Sequence, residues 1–293
     1  MKNRLGEGFR TLLSGEPDGR PDWIQAIGEG SDEGLFGPGS AAWAVHGDLA
    51  TLVGGVRALL MQTLQPGALA GVQQHSRYQH APIDRLRGTT RWLVTLTFGD
   101  TALAERETAR VRGMHKRVRG TYNDPVSGDV TDYRASDPHL LRWVHVAFTD
   151  SFLSAHQRFG STPIPGGPDQ YVLEWGVTAK MLGLPDPPES VAELRDQIAS
   201  FGPELAVTGD SREVLRFLRN PPLPIATRPA YQGLLAAAVT TMPADQRAML
   251  GLKALPHAVV DPVVRTMYAG LRVALGTQSP SEQAARERIA VEV

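Results

Sequence analysis

Apolar residues in this chain recur at three- and four-residue steps, segment after segment, and nearly every segment is cut by proline or glycine. That spacing builds helices with one buried face and leaves little sequence for a sheet. From Ala41 to Leu64 the repeat runs through Val45, Leu49, Leu52, Val53, Val56, Leu59 and Leu60. It predicts one buried helix, with Ser40 as N-cap and Pro66-Gly67 at its end. Further helices are expected over 68–79, from Asp84 to Phe98, and from just after Asp100 to about Val118. The same pattern predicts helices over 138–159, 168–183, 189–201, 209–219, 228–241, 243–252 and 258–275. Between Tyr122 and Tyr133 the pattern changes. Asn123-Asp124-Pro125 and Ser127-Gly128-Asp129 are turn chemistry flanked by β-branched and aromatic residues, which suits a small loop or hairpin. The expected fold class is all-α.

The 293 residues divide into a glycine-rich N-terminal arm over 1–37, a main helical domain over 38–278 and a charged amphipathic tail over 279–293. The arm carries one apolar cluster, Trp23, Ile24 and Ile27, and is expected to pack loosely. The tail reads as an ordinary surface helix, although it could dock on a second copy of the chain, which makes a homo-oligomer one candidate assembly.

Thirty basic against 31 acidic side chains give a formal charge of −1. No general attraction for a phosphate backbone follows, and no nucleic-acid partner is expected. The absence of cysteine excludes disulfides, thiolate nucleophiles, zinc–thiolate sites and thiolate-ligated haem. The first thirty residues lack the apolar core of a signal peptide, and no apolar run reaches the ~18 residues of a membrane span. A cytoplasmic protein with no membrane span is the expectation.

No nucleotide-binding glycine fingerprint, phosphate-cradling lysine loop or paired-histidine zinc motif is present. The informative group is His115, Arg85 and Thr89. His115 lies on one stripe with Leu103, Val111, Met114 and Val118, as a hydrogen-bonded core histidine or a ligand would. Arg85 and Thr89 are four apart and share a helix face. Tyr171 and Glu174, one turn apart, suit a buried hydrogen-bonded pair. His46, His139, His156 and His257 receive no role.

Order and spacing add to this. His-Ser-Arg-Tyr (75–78), Asp-Arg-Leu-x-x-Thr (84–89), Phe-Gly-Asp (98–100), His-x-x-Val-x-Gly (115–120), Trp-Val-His (143–145) and Asp-Ser (150–151) follow one another. With the Gln65-Pro66 helix end, they make roughly residues 35–250 resemble the family of MpaB-type oxygenases and latex-clearing rubber oxygenases. The resemblance implies an all-helical, globin-like core with additional C-terminal helices, holding haem b. It implies His115 as the proximal iron ligand, with Val111, Met114 and Val118 shielding the macrocycle and His145 as a pocket residue. It places Arg85 and Thr89 on the distal side. There a guanidinium could hold bound dioxygen or a propionate, and a hydroxyl could relay a proton.

Three departures stand out. A lysine that can ligate iron in rubber oxygenases is Gly88 here, no acidic residue occurs between Ala50 and Ile83, and a threonine of the later helix is replaced near Ala147. The iron should then be five-coordinate, or bound by water, His75 or His80, and polymer cleavage is not expected. The implied function is oxidation of a small, largely apolar molecule by dioxygen or peroxide. A non-catalytic binder of haem or an apolar ligand is the alternative.

Overall fold

The structure, a computed structural model, describes residues 7, 11, 14–75 and 82–290, without the side chains of residues 82–85 and 226. Its described elements run α1 (Asp22–Gly28), α2 (Ala41–Gly47), α3 (Thr51–Gln62), α4 (Pro66–His75), α5 (Pro82–Phe98) and α6 (Thr101–Arg117). A hairpin, β1 (Arg119–Asn123) with β2 (Val130–Arg134), follows. Then come α7 (Pro138–Phe159), α8 (Gly167–Leu182), α9 (Val191–Ser200), α10 (Gly209–Arg219) and α11 (Arg228–Thr241). The last three helices are α12 (Ala244–Met249), α13 (His257–Leu275) and α14 (Pro280–Ala290). The fold is all-α apart from the one hairpin. Among the described residues, no single helix is long and apolar enough to cross a membrane.

The first long helix expected, 41–64, is two helices meeting at 90°. Asp48 makes the corner. Its backbone is extended, its carboxylate accepts the Ala50 N–H at 2.8 Å and the Ser161 N–H at 2.9 Å, and the Ser161 hydroxyl donates to it as well. Arg272 of α13 stands 3.5 Å from the same carboxylate. Local apolar spacing continues through the corner, but a buried carboxylate is stable only where donors converge on it, and apart from the Ala50 N–H these come from over a hundred residues away. Helix α5 likewise begins at Pro82, two residues before the expected start at Asp84.

Helix α7 is the axis of the core. Trp143, Val146, Ala147, Phe152 and Ala155 along it are all buried. Its tightest neighbour is α3, where a Cβ on Gly54 would lie 3.0 Å from the Phe152 ring and 3.1 Å from its Cα. One turn on, buried Arg57 crosses the same interface. It donates to Asp150 at 2.5 Å, to the Ser151 hydroxyl at 2.8 Å and to the Thr241 carbonyl at 3.1 Å. Asp150-Ser151 therefore ties helices together.

The hairpin pairs Arg119 with Arg134 and Asn123 with Val130. Tyr133 fastens it by donating to Gln74 Oε1 at 2.8 Å, while a Cβ on Gly120 would meet that same oxygen at 2.5 Å. Arm and tail also pack on each other: α1 lies against α14, with Ile27 and Ala285 fully buried. Buried Arg288 donates to the Ile27 carbonyl at 2.5 Å. The tail is thus joined to the arm of its own chain through α1, and α1 is more firmly held than the loose packing expected of the arm.

Candidate functional site

Helix α3 buries one face against α7 and turns the other toward open space. Leu52, Gly55, Val56 and Leu59, three or four residues apart, line a cavity of about 830 Å³. That volume lies within the ~300–1,000 Å³ range of small-molecule sites. Helix α5 contributes Leu86, Thr89, Thr90, Leu93 and Val94, and α7 contributes Val144, Phe148 and Phe152. The lining is mostly apolar. Its charged groups among the described residues are Asp48, Arg272, Glu282 and Arg286. All four are paired: Asp48 with Arg272, and Glu282 with Arg286 at 2.9 Å. Arg286 also lies over the Trp43 ring at 5.3 Å.

One imidazole belongs to this wall. His46, 7% exposed, sits among four aromatic rings: Trp175 at 4.2 Å, Phe152 at 5.1 Å, Tyr171 at 5.4 Å and Phe148 at 6.3 Å between centroids. Its Nε2 and the Tyr171 hydroxyl are 3.2 Å apart, and its Nδ1 has no protein partner. Burial, reinforced by nearby His156, pushes its pKa down to about 3, so the ring is neutral. Burial likewise raises the Tyr171 phenol, with Asp150 adding to the effect. Tyr171 is thus bonded to His46 and not to Glu174. The Glu174 carboxylate instead accepts the Ala42 N–H at 2.8 Å and the Gln170 amide at 3.0 Å.

The expected site residues fall in several places. Thr89 lines the cavity; His115, Val111, Met114, Val118 and His145 do not. His115 lies in the last turn of α6, where its carbonyl accepts the Val118 N–H at 3.2 Å. The ring is partly buried, its Nδ1 is buried without a protein partner, and burial lowers its pKa. Val111, one turn earlier, is buried, whereas Met114 is 41% exposed. Val118 packs beside the Tyr133 cluster under the hairpin. His145 has its Nε2 3.5 Å from the Thr149 hydroxyl. Burial, with Arg142 adding to it, brings its pKa to about 3. His75 donates Nε2–H to the Arg119 carbonyl at 3.0 Å and so helps hold the hairpin. The side chain of Arg85, and all of His80, lie outside the described residues.

Helices α5 and α6 pack on each other and are joined through Gly99 and Asp100. Asp100 caps α6 by accepting the Leu103 N–H. Glu107, buried in α6, is held by Arg110 at 2.6 Å and reaches Arg91 of α5 at 3.5 Å. Counting from that bridge away from the turn, position 85 is six residues on and His115 is eight. At 1.5 Å per residue both stand roughly 9–12 Å beyond it. The pair expected to face each other across an iron thus stands at about one level of a helical hairpin. Thr89 is four residues nearer the bridge, on the cavity side.

Residues 43–287 match the family described as "ER-bound oxygenase mpaB/B'/Rubber oxygenase, catalytic domain". The chain belongs to this family. No curated protein and no solved structure matches it. The mpaB/rubber-oxygenase match begins at Trp43 in α2 and ends within α14. It takes in most of the cavity wall, the α5–α6 pair and most of the tail helix, and leaves out α1 of the arm. Membership supports an oxygenase-type function. His46 is the residue that sequence reading passed over. Nothing in AAWAVHG marks it, because its aromatic partners come from α7 and α8.

Proposed function

We propose that this chain is a haem b-dependent oxidoreductase that oxidises a small, largely apolar molecule with dioxygen or peroxide. One observation carries the cofactor assignment. His115 is an imidazole kept neutral by burial, with a ring nitrogen that no protein group satisfies. Neutral imidazole is the form that binds iron, and a nitrogen without a partner in the protein would suit an iron ligand. Bound haem supplies the redox chemistry; the residues supply position, dryness and protons.

In this reading His115 would hold the iron, and Val111, buried one turn earlier, would help keep water from it. The role that the family resemblance gives Arg85 is to bind a propionate or the oxidant, and the Thr89 hydroxyl would hold a proton at the cavity wall. Val118 and Met114 stand close to His115 in sequence, and the resemblance makes His145, a neutral imidazole on α7, a pocket residue. The substrate occupies the cavity, where Leu52, Val56, Leu93 and Phe148 exclude water. Such a lining suits an apolar guest, since its removal from water contributes about 25 cal/mol per Å².

The test is an absorption spectrum of purified protein in ferric and dithionite-reduced forms. A Soret band that His115→Ala abolishes is expected; protein free of haem after haem-supplemented expression overturns the assignment. The paired charges of the wall favour a second reading, a binder without turnover. Spectral shifts with ligand but no product under dioxygen or peroxide would select it.

A further inference from the structure

The Tyr171 hydroxyl is bonded to an imidazole: His46 Nε2 lies 3.2 Å away, and Tyr171 is fully buried. We propose that Tyr171 is a redox-active tyrosine, oxidised by one electron as its phenolic proton passes to His46. The aromatic cage thereby stores an oxidising equivalent beside the cavity. This goes beyond the haem reading and takes from it only the oxidant, peroxide-treated haem or a one-electron oxidant of similar strength.

A phenol resists one-electron oxidation because the cation it forms is a strong acid that must shed its proton at once. A base already hydrogen-bonded to the hydroxyl removes that obstacle. One electron leaves Tyr171 for the oxidant, its O–H bond breaks, and an N–H bond forms at His46 Nε2. The products are a neutral phenoxyl and an imidazolium, and reduction returns the proton along the same bond. Burial keeps the His46 ring neutral, so Nε2 has a lone pair to offer when Nδ1 carries the ring hydrogen. The same burial makes the imidazolium costly, but an oxidised phenol is by far the stronger acid.

Rings lead to this pair from the cavity side. Trp92, three residues from Thr89 on α5, has its ring 5.9 Å from those of Phe148 and Trp175. Phe148, in the cavity wall, stacks on Trp175 at 5.9 Å. Trp175 lies 4.2 Å from His46 and one helical turn from Tyr171, on the same face of α8. An electron leaving Tyr171 therefore passes from ring to neighbouring ring to reach the helix that carries Thr89. Burial of Trp175 and Tyr171 keeps reductants in solution away from the radical.

The test needs no haem. Flash photolysis with ruthenium tris-bipyridine and persulfate supplies the oxidant, and electron paramagnetic resonance identifies the radical. Wild type should give a long-lived neutral tyrosyl whose oxygen keeps an exchangeable hydrogen bond, seen as a deuteron coupling in heavy water. Tyr171→Phe, which removes a single oxygen, should abolish this signal and leave the transient radicals of exposed rings. His46→Gln can still accept the hydrogen bond but is too weak a base to take the proton. It should lose the long-lived signal too, which a merely structural hydrogen bond would not require. A wild type without a long-lived tyrosyl, a signal that survives either substitution, or a radical oxygen with no exchangeable partner overturns the proposal. The wild-type spectra decide even if a variant fails to fold. Absence of a Soret band would leave them unchanged, so failure of the haem assignment is distinguishable.

Discussion

Two imidazoles, His46 and His145, are held neutral with pKa values near 3, against about 6.5 in an unfolded chain. The unfolded chain therefore takes up protons first as pH falls. Stability is fully present above pH ~6.5 and is lost as pH drops toward 3, at about 1.4 kcal/mol per unit for each ring. Between pH 7 and 5 urea unfolding should show a loss of about 4 kcal/mol for the pair, and His46→Phe should roughly halve that slope. A stability that stays flat over this range would refute the burial of both rings. The same physical fact separates what the sequence revealed from what it hid. His115 was legible because it sits in a spaced motif on an apolar stripe. His46 was not, because its neutrality comes from Phe148, Phe152 and Trp175, more than a hundred residues away.

Adjacent glycines show how one element serves both core and cavity. A Cβ on Gly54 would press on Phe152 at 3.0–3.1 Å, including its backbone, whereas a Cβ on Gly55 would meet nothing within 4 Å. Gly54→Ala should therefore cost about 1–3 kcal/mol through overpacking of the α3–α7 crossing. Gly55→Ala should be neutral or stabilise by up to about 1 kcal/mol, since alanine is the better helix former. Thermal unfolding of both variants checks this, and equal effects would mean that α3 does not turn these two positions in opposite directions. Most helices were legible because their signals are local: Asp137 caps α7 through the His139 N–H, and Thr208 caps α10 in a reciprocal box with Ser211. The break at Asp48 was not, because the donors that stabilise it belong to Ser161 and Arg272.

Across the whole molecule the two ends of the chain meet. Helix α14 covers Ile27 of α1, and its Glu282 and Arg286 close part of the cavity wall. Deleting residues 279–293 should lower stability by about 2–4 kcal/mol, on the scale of one or two large side chains uncovered. It should also increase binding of a hydrophobic dye; an unchanged melting temperature with no added dye binding would show that the clasp contributes nothing. The sequence by itself determined the all-α class, a turn-built loop or hairpin between Tyr122 and Tyr133 and the family resemblance, because periodicity, turn chemistry and motif order are all written within short stretches. Only the tertiary structure decided the right-angled corner, the union of arm with tail and the apolar chamber between α3, α5 and α7. Each of those depends on groups distant in sequence converging out of water, and no local pattern records which partners a buried side chain will find.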